Sequence, residues 1–274
     1  MYVTGLQWSN SPVQARNKTA PQTTSPADDS LPLYRQVKRE LQKIIEDGHY
    51  GPGKPLPSEA TLALALQVSI GTLRHAVDEL VHEHVLVRRQ GKGTFVAPHN
   101  RARFMFQFFH VEPRWDPEDD TPHEQVFPDI DCIAFAREQA DEAEARALRI
   151  KPGDAVFRIE NKLALRGRVV IHDRLILSAA MFRHLTEKRF SERPSTIYAL
   201  FQTDFGITVL RAQERARAVA AGRAVARILG VSAGAPVMEV HRLALTFGDR
   251  PVEYRVSTIN TQAHDYVSML SKSP

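Results

Sequence analysis

The sequence predicts a mixed α/β protein of two domains, an N-terminal winged helix-turn-helix and a second α+β domain built around an antiparallel sheet. Two short amphipathic helix patterns are followed by two strand patterns around a Gly-Lys-Gly turn. In the second half, a pattern of helix, glycine turn and two strands occurs twice. The chain of 274 residues is long enough for both domains.

The helical part of the first domain follows a polar segment. Residues 1–29 are rich in Ser, Thr, Pro, Asn and Gln, a composition that predicts a disordered tail. An amphipathic pattern then covers residues 33–47 and predicts the first helix. A second, shorter helix is predicted over residues 59–66, because Ser58 can cap its free backbone amides.

The third helix carries the groups best suited to nucleic acid. Ser69 can cap a helix over residues 70–83, where apolar side chains recur at helical spacing. Small, hydroxylic and basic groups suit an approach to phosphates and base edges. The beginning of this helix offers such groups at Gly71, Thr72, Arg74 and His75. We therefore interpret it as a recognition helix.

A basic hairpin follows this helix. Strands are predicted over residues 85–89 and 94–97, and the glycines between them permit the positive φ angles of a tight turn. A helix-turn-helix with a basic hairpin is a winged helix, which predicts DNA binding. A small helical domain with a solvated basic loop is the alternative. The candidate DNA contacts are Ser58, Ser69, Gly71, Thr72, Arg74, His75, Arg89, Gln90, Lys92, Gly93 and Thr94.

The chain beyond the hairpin is predicted to form a second domain. The DNA-binding domain covers residues 30–98, a short linker covers 99–103, and the second domain covers 104–272. The aromatic segment 104–111 is predicted to be its first strand, and residues 130–136 a further strand.

An internal repeat organises the second domain. The segment ARALRIKPGDAVFRIEN begins at Ala145, and ARILGVSAGAPVMEVHR begins at Ala226. Each copy predicts a helix, a glycine turn, a long strand and a return strand, the last over 169–177 or 251–260. A helix over 196–205 separates the copies. Two such hairpins with helices predict an α+β domain around an antiparallel sheet.

The first domain resembles the GntR family of bacterial transcription regulators. The resemblance is carried by Leu56-Pro57-Ser58-Glu59, Gly71-Thr72-Leu73-Arg74 and Arg89-Gln90-Gly91-Lys92-Gly93. Ala60 and Ile70 stand where many members carry arginine, so that Arg74 is the remaining arginine at the usual base-reading positions. This departure predicts an operator that differs from the common family consensus.

The second domain resembles the UTRA effector-sensing domain of the HutC subgroup, whose fold is similar to chorismate lyase. The matching segments are Ser195-Thr196-Ile197-Tyr198, Phe205-Gly206-Ile207 and Ala233-Gly234-Ala235-Pro236-Val237. The resemblance implies a transcriptional repressor whose operator affinity is controlled by a small-molecule effector. Members that sense phosphosugars clamp the phosphate with two arginines, and the matching positions here are Asn161 and Leu163. We therefore expect an organic acid rather than a phosphosugar.

The effector site is predicted in a cleft between the two repeat hairpins. The candidate contacts are Asn161, Asp173, Ser195, Arg211, Arg242 and Glu253. Arg242 occupies the position that Asn161 has in the other copy, so we expect the two to face each other and Arg242 to bind an anion. Alternatives without a ligand are a helix N-cap at Ser195, a strand-end surface carboxylate at Asp173, a salt-bridge partner at Glu253 and solvated surface at Arg211.

Composition limits the other classes of function. The formal charge is +4 and the pI about 9.3, which predicts localised basic surface. The single cysteine, Cys132, allows no intrachain disulfide. No stretch approaches the roughly 20 apolar residues of a membrane helix, so we expect a cytoplasmic protein without a membrane partner. The sequence has no zinc-ligand spacing and no Walker A, GxGxxG or GxSxG motif, so we expect no cofactor.

The expected partners follow from the DNA-binding domain. One winged helix reads only a few base pairs, so useful specificity requires two half-sites. We therefore expect a homodimer, a palindromic double-stranded DNA operator and a small-molecule effector. Two alternatives remain open at this stage. The second domain can be a chorismate-lyase-like enzyme fused to a DNA reader, or the protein can bind DNA independently of any effector.

Overall fold

The computed structural model describes residues 31–114 and 126–268. The chain divides into two compact units, one ending at Pro98 and the other beginning at His99. The predicted tail over residues 1–29 lies outside the described residues. No helix within the described ranges is long and apolar enough to cross a membrane.

The first unit is a winged helix-turn-helix. Its elements are α1 (Leu33–Glu46), α2 (Glu59–Ala65), α3 (Ile70–His82), β1 (Leu86–Arg89) and β2 (Gly93–Val96). Both predicted caps are confirmed, because Ser58 Oγ accepts a hydrogen bond from Thr61 N and Ser69 Oγ accepts one from Thr72 N, each at 3.1 Å. The apolar stripes of α1 and α3 are buried and form the core.

The hairpin of the first unit has the turn that its glycines predicted. Strands β1 and β2 pair antiparallel, with Arg89 opposite Gly93. Gly91 and Gly93 have φ angles of 69° and 104°, in the left-handed region that favours glycine. The basic turn residues therefore project from a defined hairpin.

The second unit is an α+β structure. Its elements are α4 (Arg101–Phe108), β3 (Val111–Pro113), β4 (Asp129–Gln139), α5 (Glu142–Leu148), β5 (Ala155–Leu165), β6 (Arg168–Ser178), α6 (Glu187–Ser191), α7 (Ile197–Phe205), β7 (Arg211–Ala220), α8 (Arg223–Leu229), β8 (Pro236–Leu245), a 3₁₀ turn (Phe247–Asp249), β9 (Pro251–Ile259) and β10 (His264–Tyr266). The short strands β3 and β10 pair with each other.

The internal repeat is confirmed by one antiparallel sheet of six strands, in the order β4-β5-β6-β9-β8-β7. Each half of the sheet is one copy, a strand, a helix and a hairpin. The first copy is β4, α5, β5 and β6, and the second is β7, α8, β8 and β9. The copies meet where β6 pairs with β9. They are therefore neighbours in a single sheet rather than two facing walls.

The sheet has a different apolar cluster on each face. Alternate residues of a strand point to opposite faces. One face packs Ile159, Leu175 and Val240 against the buried aromatic side chains of α4 and α7. The other face packs Val156 and Ile176 against α5, and a separate cluster surrounds α8. The sheet thus lies between two helical layers.

The start of the second unit differs from the prediction. Residues 104–111 were predicted to be a strand, which is wrong, because α4 covers Arg101–Phe108. The predicted linker 99–103 includes the first turn of this helix. The side chain of Asn100 accepts a hydrogen bond from Arg103 N at 2.8 Å and caps α4. Phe104 and Phe108, one turn apart, are both buried on the same face of the helix.

Candidate DNA-reading surface and buried effector site

The predicted DNA contacts lie on one small unit and are solvent-accessible. Thr72 and Thr94 are half-buried, and the others are exposed. The hydroxyls of Ser58 and Ser69 each cap a helix, so both helix starts are fixed before DNA is present. The ring of His75 stacks on that of Tyr34 at a centroid distance of 4.0 Å. The guanidinium of Arg89 lies over the Phe95 ring at 4.9 Å.

Glu59 holds the recognition helix and the wing together. Its Oε2 accepts a hydrogen bond from Arg74 Nε at 2.9 Å, and its Oε1 accepts one from Arg88 Nη2 at 3.0 Å. Arg88 also pairs with Asp78. Because Glu59 binds Arg74 through Nε, the two terminal amino groups remain available for the bidentate contact that arginine makes with guanine. The sequence did not indicate this support.

The second unit contains a buried polar network on the sheet face below α4 and α7. Arg255 donates through Nε and Nη2 to the two carboxylate oxygens of Glu253, each at 2.9 Å, and through Nη1 to Asp173 at 3.0 Å. Ser257 donates to the other oxygen of Asp173 at 2.5 Å. Tyr198 of α7 donates to Glu253 at 3.2 Å. Burial alone would lower the pKa of Arg255, but Glu253 and Asp173 raise it above its ordinary value.

Arg242 belongs to a neighbouring buried network. It donates through Nε to Glu214 at 2.5 Å and through Nη2 to the backbone oxygen of Phe108, the last residue of α4. Tyr266 donates to the other carboxylate oxygen of Glu214. Burial would raise the pKa of Glu214, but Arg242 lowers it below its ordinary value. The charge of Arg242 is thus compensated by a carboxylate of its own domain.

The repeat places these polar side chains at equivalent positions. Asn161 pairs with Asp173 in the hairpin of the first copy, and Arg242 pairs with Arg255 in that of the second. Asn161 therefore corresponds to Arg242, and Asp173 to Arg255. The ion pair between Asp173 and Arg255 joins the two copies where β6 meets β9.

The prediction that Asn161 and Arg242 face each other across a cleft is wrong. They lie on the same face of one sheet, on β5 and β8, with β6 and β9 between them. Three strand spacings separate them by about 14 Å. The candidate site is accordingly a polar row across the sheet and under α4, and the centre of this row lies at Asp173 and Arg255.

Arg211 lies away from the buried site, in agreement with its alternative as solvated surface, whereas Ser195 stays a predicted effector contact and only its alternative as a helix N-cap is wrong. Arg211 points to the opposite face of β7 from Glu214, because their positions in the strand differ by an odd number of residues. Its guanidinium is exposed and pairs with Asp249 at 2.7 Å, so it does not reach the buried site. Ser195 is half-buried but does not cap α7, because the cap is Thr196, whose Oγ1 accepts from Ala199 N at 3.2 Å.

Two polar atoms at the site are buried and have no hydrogen-bond partner among residues 31–114 and 126–268. They are Oδ1 of Asn161 and Nε of Arg193. Both side chains line one small cavity together with Asp173, Thr196 and Arg255. A buried polar atom without a partner costs about 1–3 kcal/mol. The cavity measures about 10 Å³, which is room for about one water molecule.

Arg193 differs from the other arginines of the site. Burial, followed by the nearby charge of Arg255, lowers its pKa to about 10, so it stays charged at neutral pH. It donates to the backbone oxygen of Phe190 and lies 4.6 Å from that ring, but it forms no ion pair with a carboxylate in the described part of the chain. The sequence carries no motif at three further positions of the site, Arg193, Arg255 and Ser257, so these residues were not singled out from it. Thr196 was noted only as part of the segment Ser195-Thr196-Ile197-Tyr198.

Larger open pockets occur elsewhere on this unit. One of about 260 Å³ is lined by Phe109, Leu165 and Arg168, and another of about 470 Å³ lies along Arg215 and Arg217. Arg168, Arg215 and Arg217 are exposed to solvent, and the buried Arg242, which also lines the second pocket, is already paired with Glu214. An exposed charge gains little from a ligand compared with a buried one. The small buried cavity is therefore the stronger candidate for specific recognition, although it is nearly closed.

His99, the first residue of the second unit, contacts two buried aromatic rings beside the candidate site. Its ring centroid lies 5.8 Å from that of Tyr198 and 6.1 Å from that of Phe108, and its backbone N–H donates to Gln202 at 2.9 Å. Burial, together with the charge of Arg103, lowers the pKa of His99 to about 3 from an ordinary value of 6.5. The imidazole is therefore neutral in the folded protein.

We expect this histidine to make the second unit sensitive to acid. Between pH 6.5 and 3 the unfolded chain binds a proton that the folded unit does not, so stability falls as the pH is lowered through this range. At pH 5 the loss is about 2 kcal/mol relative to pH 7. His99→Phe should remove this loss in urea unfolding at the two pH values. The control His184→Asn, at an exposed position, should keep it. Equal pH dependence of the wild type and His99→Phe would contradict this assignment.

A winged helix-turn-helix followed by an α+β unit with a buried polar site defines a class of ligand-responsive DNA-binding proteins. Comparison with known families places the chain within it. The gntR family of bacterial regulatory proteins matches residues 33–96, and the UTRA domain matches residues 125–265. The chain belongs to the GntR family and, with its UTRA domain, to the HutC subgroup. It is a DNA-binding transcriptional regulator with an effector-binding domain.

Individual relatives agree with this assignment. The mannosyl-D-glycerate transport/metabolism system repressor MngR of Escherichia coli is 23% identical over 235 residues, 86% of this chain and 94% of its own. The histidine utilization repressor of Pseudomonas aeruginosa is 27% identical over 216 residues, 77% of this chain and 80% of its own. The crystal structure of the ligand-binding domain of a GntR-family regulator from Bordetella bronchiseptica is 32% identical, with a TM-score of 0.56, and covers 60% of this chain and 98% of its own.

Proposed function

We propose that this protein is a repressor that binds a two-fold symmetric operator as a homodimer and releases it when a small carboxylic acid occupies the buried site of the second unit. The observation that carries the proposal is the pair of unpartnered buried atoms, Asn161 Oδ1 and Arg193 Nε, in one cavity. The relatives named above are repressors, which supports repression rather than activation.

The DNA-binding part of the proposal uses the predicted contacts. α3 enters the major groove with Gly71, Thr72 and Arg74 facing the bases, since the second helix of a helix-turn-helix reads base edges with its N-terminal residues. Lys92 and Arg89 of the hairpin neutralise phosphates and add affinity that does not depend on sequence. Ser58 and Ser69 cap the beginnings of α2 and α3 and lie close to the sugar-phosphate backbone of the DNA.

The chemistry of the cavity indicates the class of effector. Arg193 offers a buried N–H donor and a charge without a carboxylate partner among the described residues, which suits one carboxylate. Asn161 Oδ1 accepts a hydrogen bond, so a hydroxyl or amino group near that carboxylate satisfies it. Asp173 and Glu253 are already paired with Arg255, so Arg193 is left to balance one negative charge, which suits a carboxylate better than a phosphate dianion. The site thus favours a 2-hydroxy or 2-amino carboxylic acid.

The names of the relatives are consistent with this class. Histidine and mannosyl-D-glycerate both contain a carboxylate, and both are part of the names of repressors similar to this chain. Glycerate carries a hydroxyl beside its carboxylate, and histidine carries an amino group there. Glycerate and histidine are therefore suitable first probes of the cavity.

Helix α4 can transmit occupancy to the DNA-binding unit. Phe104 lines the cavity of Asn161 and Arg193, and Phe108 lines a neighbouring cavity and accepts the hydrogen bond of Arg242. Because the first cavity holds about one water molecule, a larger ligand has to displace side chains that line it, and Phe104 of α4 is one of them. α4 begins three residues after Pro98, so a displacement of this helix moves the point at which the DNA-binding unit is attached.

We expect the wild-type protein to protect two half-sites whose centres lie about one helical turn of DNA, or a multiple of it, apart, because each monomer supplies one recognition helix. Footprinting on an operator selected from random-sequence DNA gives the spacing, and sedimentation of the complex gives the stoichiometry. Two chains per duplex and a symmetric footprint support the proposal. A single chain that protects one half-site would contradict the dimeric part, whatever effector is found.

A further inference from the structure

The recognition helix begins with an apolar side chain that is not used in the core. Ile70, the first residue of α3, is 47% exposed, whereas the apolar stripe of the helix is at most 1% exposed. The stripe consists of Leu73, Ala76, Val77 and Leu80. Ile70 follows the capping residue Ser69 directly and lies one helical turn from Arg74. It is therefore held at the end of the helix that the proposed function seats in the major groove.

An isoleucine at this position can read only one feature of the groove. Base edges there present hydrogen-bond donors and acceptors, which an aliphatic side chain cannot use, and the C5-methyl group of thymine, which it can contact. We propose that Ile70 recognises the methyl group of a thymine in each half-site and is a determinant of operator sequence. This inference rests on the proposed seating of α3 in the major groove.

The position of the thymine follows from the helix. Ile70 and Arg74 are four residues apart, which corresponds to about 6 Å along the helix axis. Successive base pairs are about 3.4 Å apart, so the thymine lies about two base pairs from the guanine that Arg74 contacts. Glu59 holds Arg74 through Nε at 2.9 Å, which fixes one end of this spacing. The half-site should therefore contain a thymine and a guanine at a constant separation.

Deoxyuridine provides a direct test, because it differs from thymidine only in lacking the methyl group. The full-length wild type and Ile70→Ala are titrated with operator duplexes in which single thymines are replaced by deoxyuridine. At one position per half-site the replacement should weaken wild-type binding about fourfold, which corresponds to one buried methyl group. The same replacement should not affect Ile70→Ala. Thermal unfolding checks that the variant folds, which its exposed position favours.

Three further variants separate the possible outcomes. Ile70→Arg should select guanine in place of that thymine, because arginine binds guanine O6 and N7. Lys92→Ala should weaken binding to the thymine duplex and to the deoxyuridine duplex by the same factor, since the wing contacts phosphates. If no thymine shows an effect that depends on Ile70, while Arg74→Ala still relaxes the sequence preference, methyl recognition is refuted and the seating of α3 stands. If Arg74→Ala also leaves the preference unchanged, the proposed seating of α3 fails.

Discussion

Replacing Arg255 with methionine is expected to lower the free energy of unfolding of the second unit by about 3–5 kcal/mol. Arg255 is 6% exposed and binds both Glu253 and Asp173. Methionine has a similar length but no charge, so the variant leaves two carboxylates buried without their cation. Removing one partner of a buried ion pair is costly because the remaining charge is not solvated. Urea unfolding followed by circular dichroism measures the change.

The control for this prediction is an ion pair on the surface of the same sheet. Arg217 binds Glu239 at 2.6 Å, but the Arg217 side chain is 64% exposed. Arg217→Met should cost less than about 1 kcal/mol, because exposed ion pairs contribute little. Similar losses in Arg255→Met and Arg217→Met would contradict the conclusion that the Asp173, Arg255 and Glu253 network holds the two repeat copies together.

Arg242 is not the best residue for testing effector binding. From the sequence alone it was expected to bind the anion, which would make Arg242→Ala the obvious test. In the structure Arg242 neutralises Glu214 and binds the end of α4, so its removal disturbs the fold as well. A lost response in Arg242→Ala would not separate ligand binding from stability. Arg193 is the better choice, because it has no carboxylate partner among the described residues.

Binding of the effector is expected to have the second large effect, which is release of the operator. We expect a 2-hydroxy or 2-amino carboxylic acid to weaken operator binding by about 5–150-fold, the range of a typical coupling free energy of 1–3 kcal/mol. D-Glycerate and L-histidine are the first probes, with propionate and glucose 6-phosphate for comparison. Propionate lacks the donor for Asn161, and glucose 6-phosphate carries a dianion, which is one negative charge more than Arg193 balances. Fluorescence anisotropy of a labelled operator measures the release.

Variants of two arginines make this measurement specific. Arg193→Met should abolish the response to the effective acid and leave the affinity for DNA without ligand within about twofold, since a neutral side chain there leaves no buried charge unpaired. Arg189→Met, which removes an exposed arginine paired with Asp204, should respond like the wild type. Release by glucose 6-phosphate, or an unchanged response in Arg193→Met, would contradict the proposed effector class.

Local signals in the sequence predicted most of the fold. The first three helices begin as expected because their starts and apolar stripes depend on nearby residues, such as Ser69 before α3. The repeat predicted two hairpins but not that they share one sheet, because the pairing of β6 with β9 is a contact between distant segments. The segment that forms α4 was misassigned because phenylalanine also favours strands. Burial of one face and the Asn100 cap stabilise a helix there.

The effector site was only partly predictable for the same reason. Asp173 and Glu253 were among the predicted effector contacts, and both lie in the buried network. The pairing of Arg255 with Asp173 depends on the register between β6 and β9, strands of different copies, which the sequence does not specify. Arg193 lies outside any repeated or periodic pattern. It becomes notable only when burial and the missing partner of its Nε are known.

The most direct test of the account is the reciprocity between effector and operator. If one protein couples the buried site to DNA binding, the operator must weaken binding of the acid by the same factor by which the acid weakens binding of the operator. Isothermal titration of the acid identified by the anisotropy screen, with and without saturating operator DNA, measures the first factor, and operator titrations measure the second. We predict equal factors within the range of about 5–150-fold. An acid that binds equally well to the free protein and to the operator complex would contradict the account.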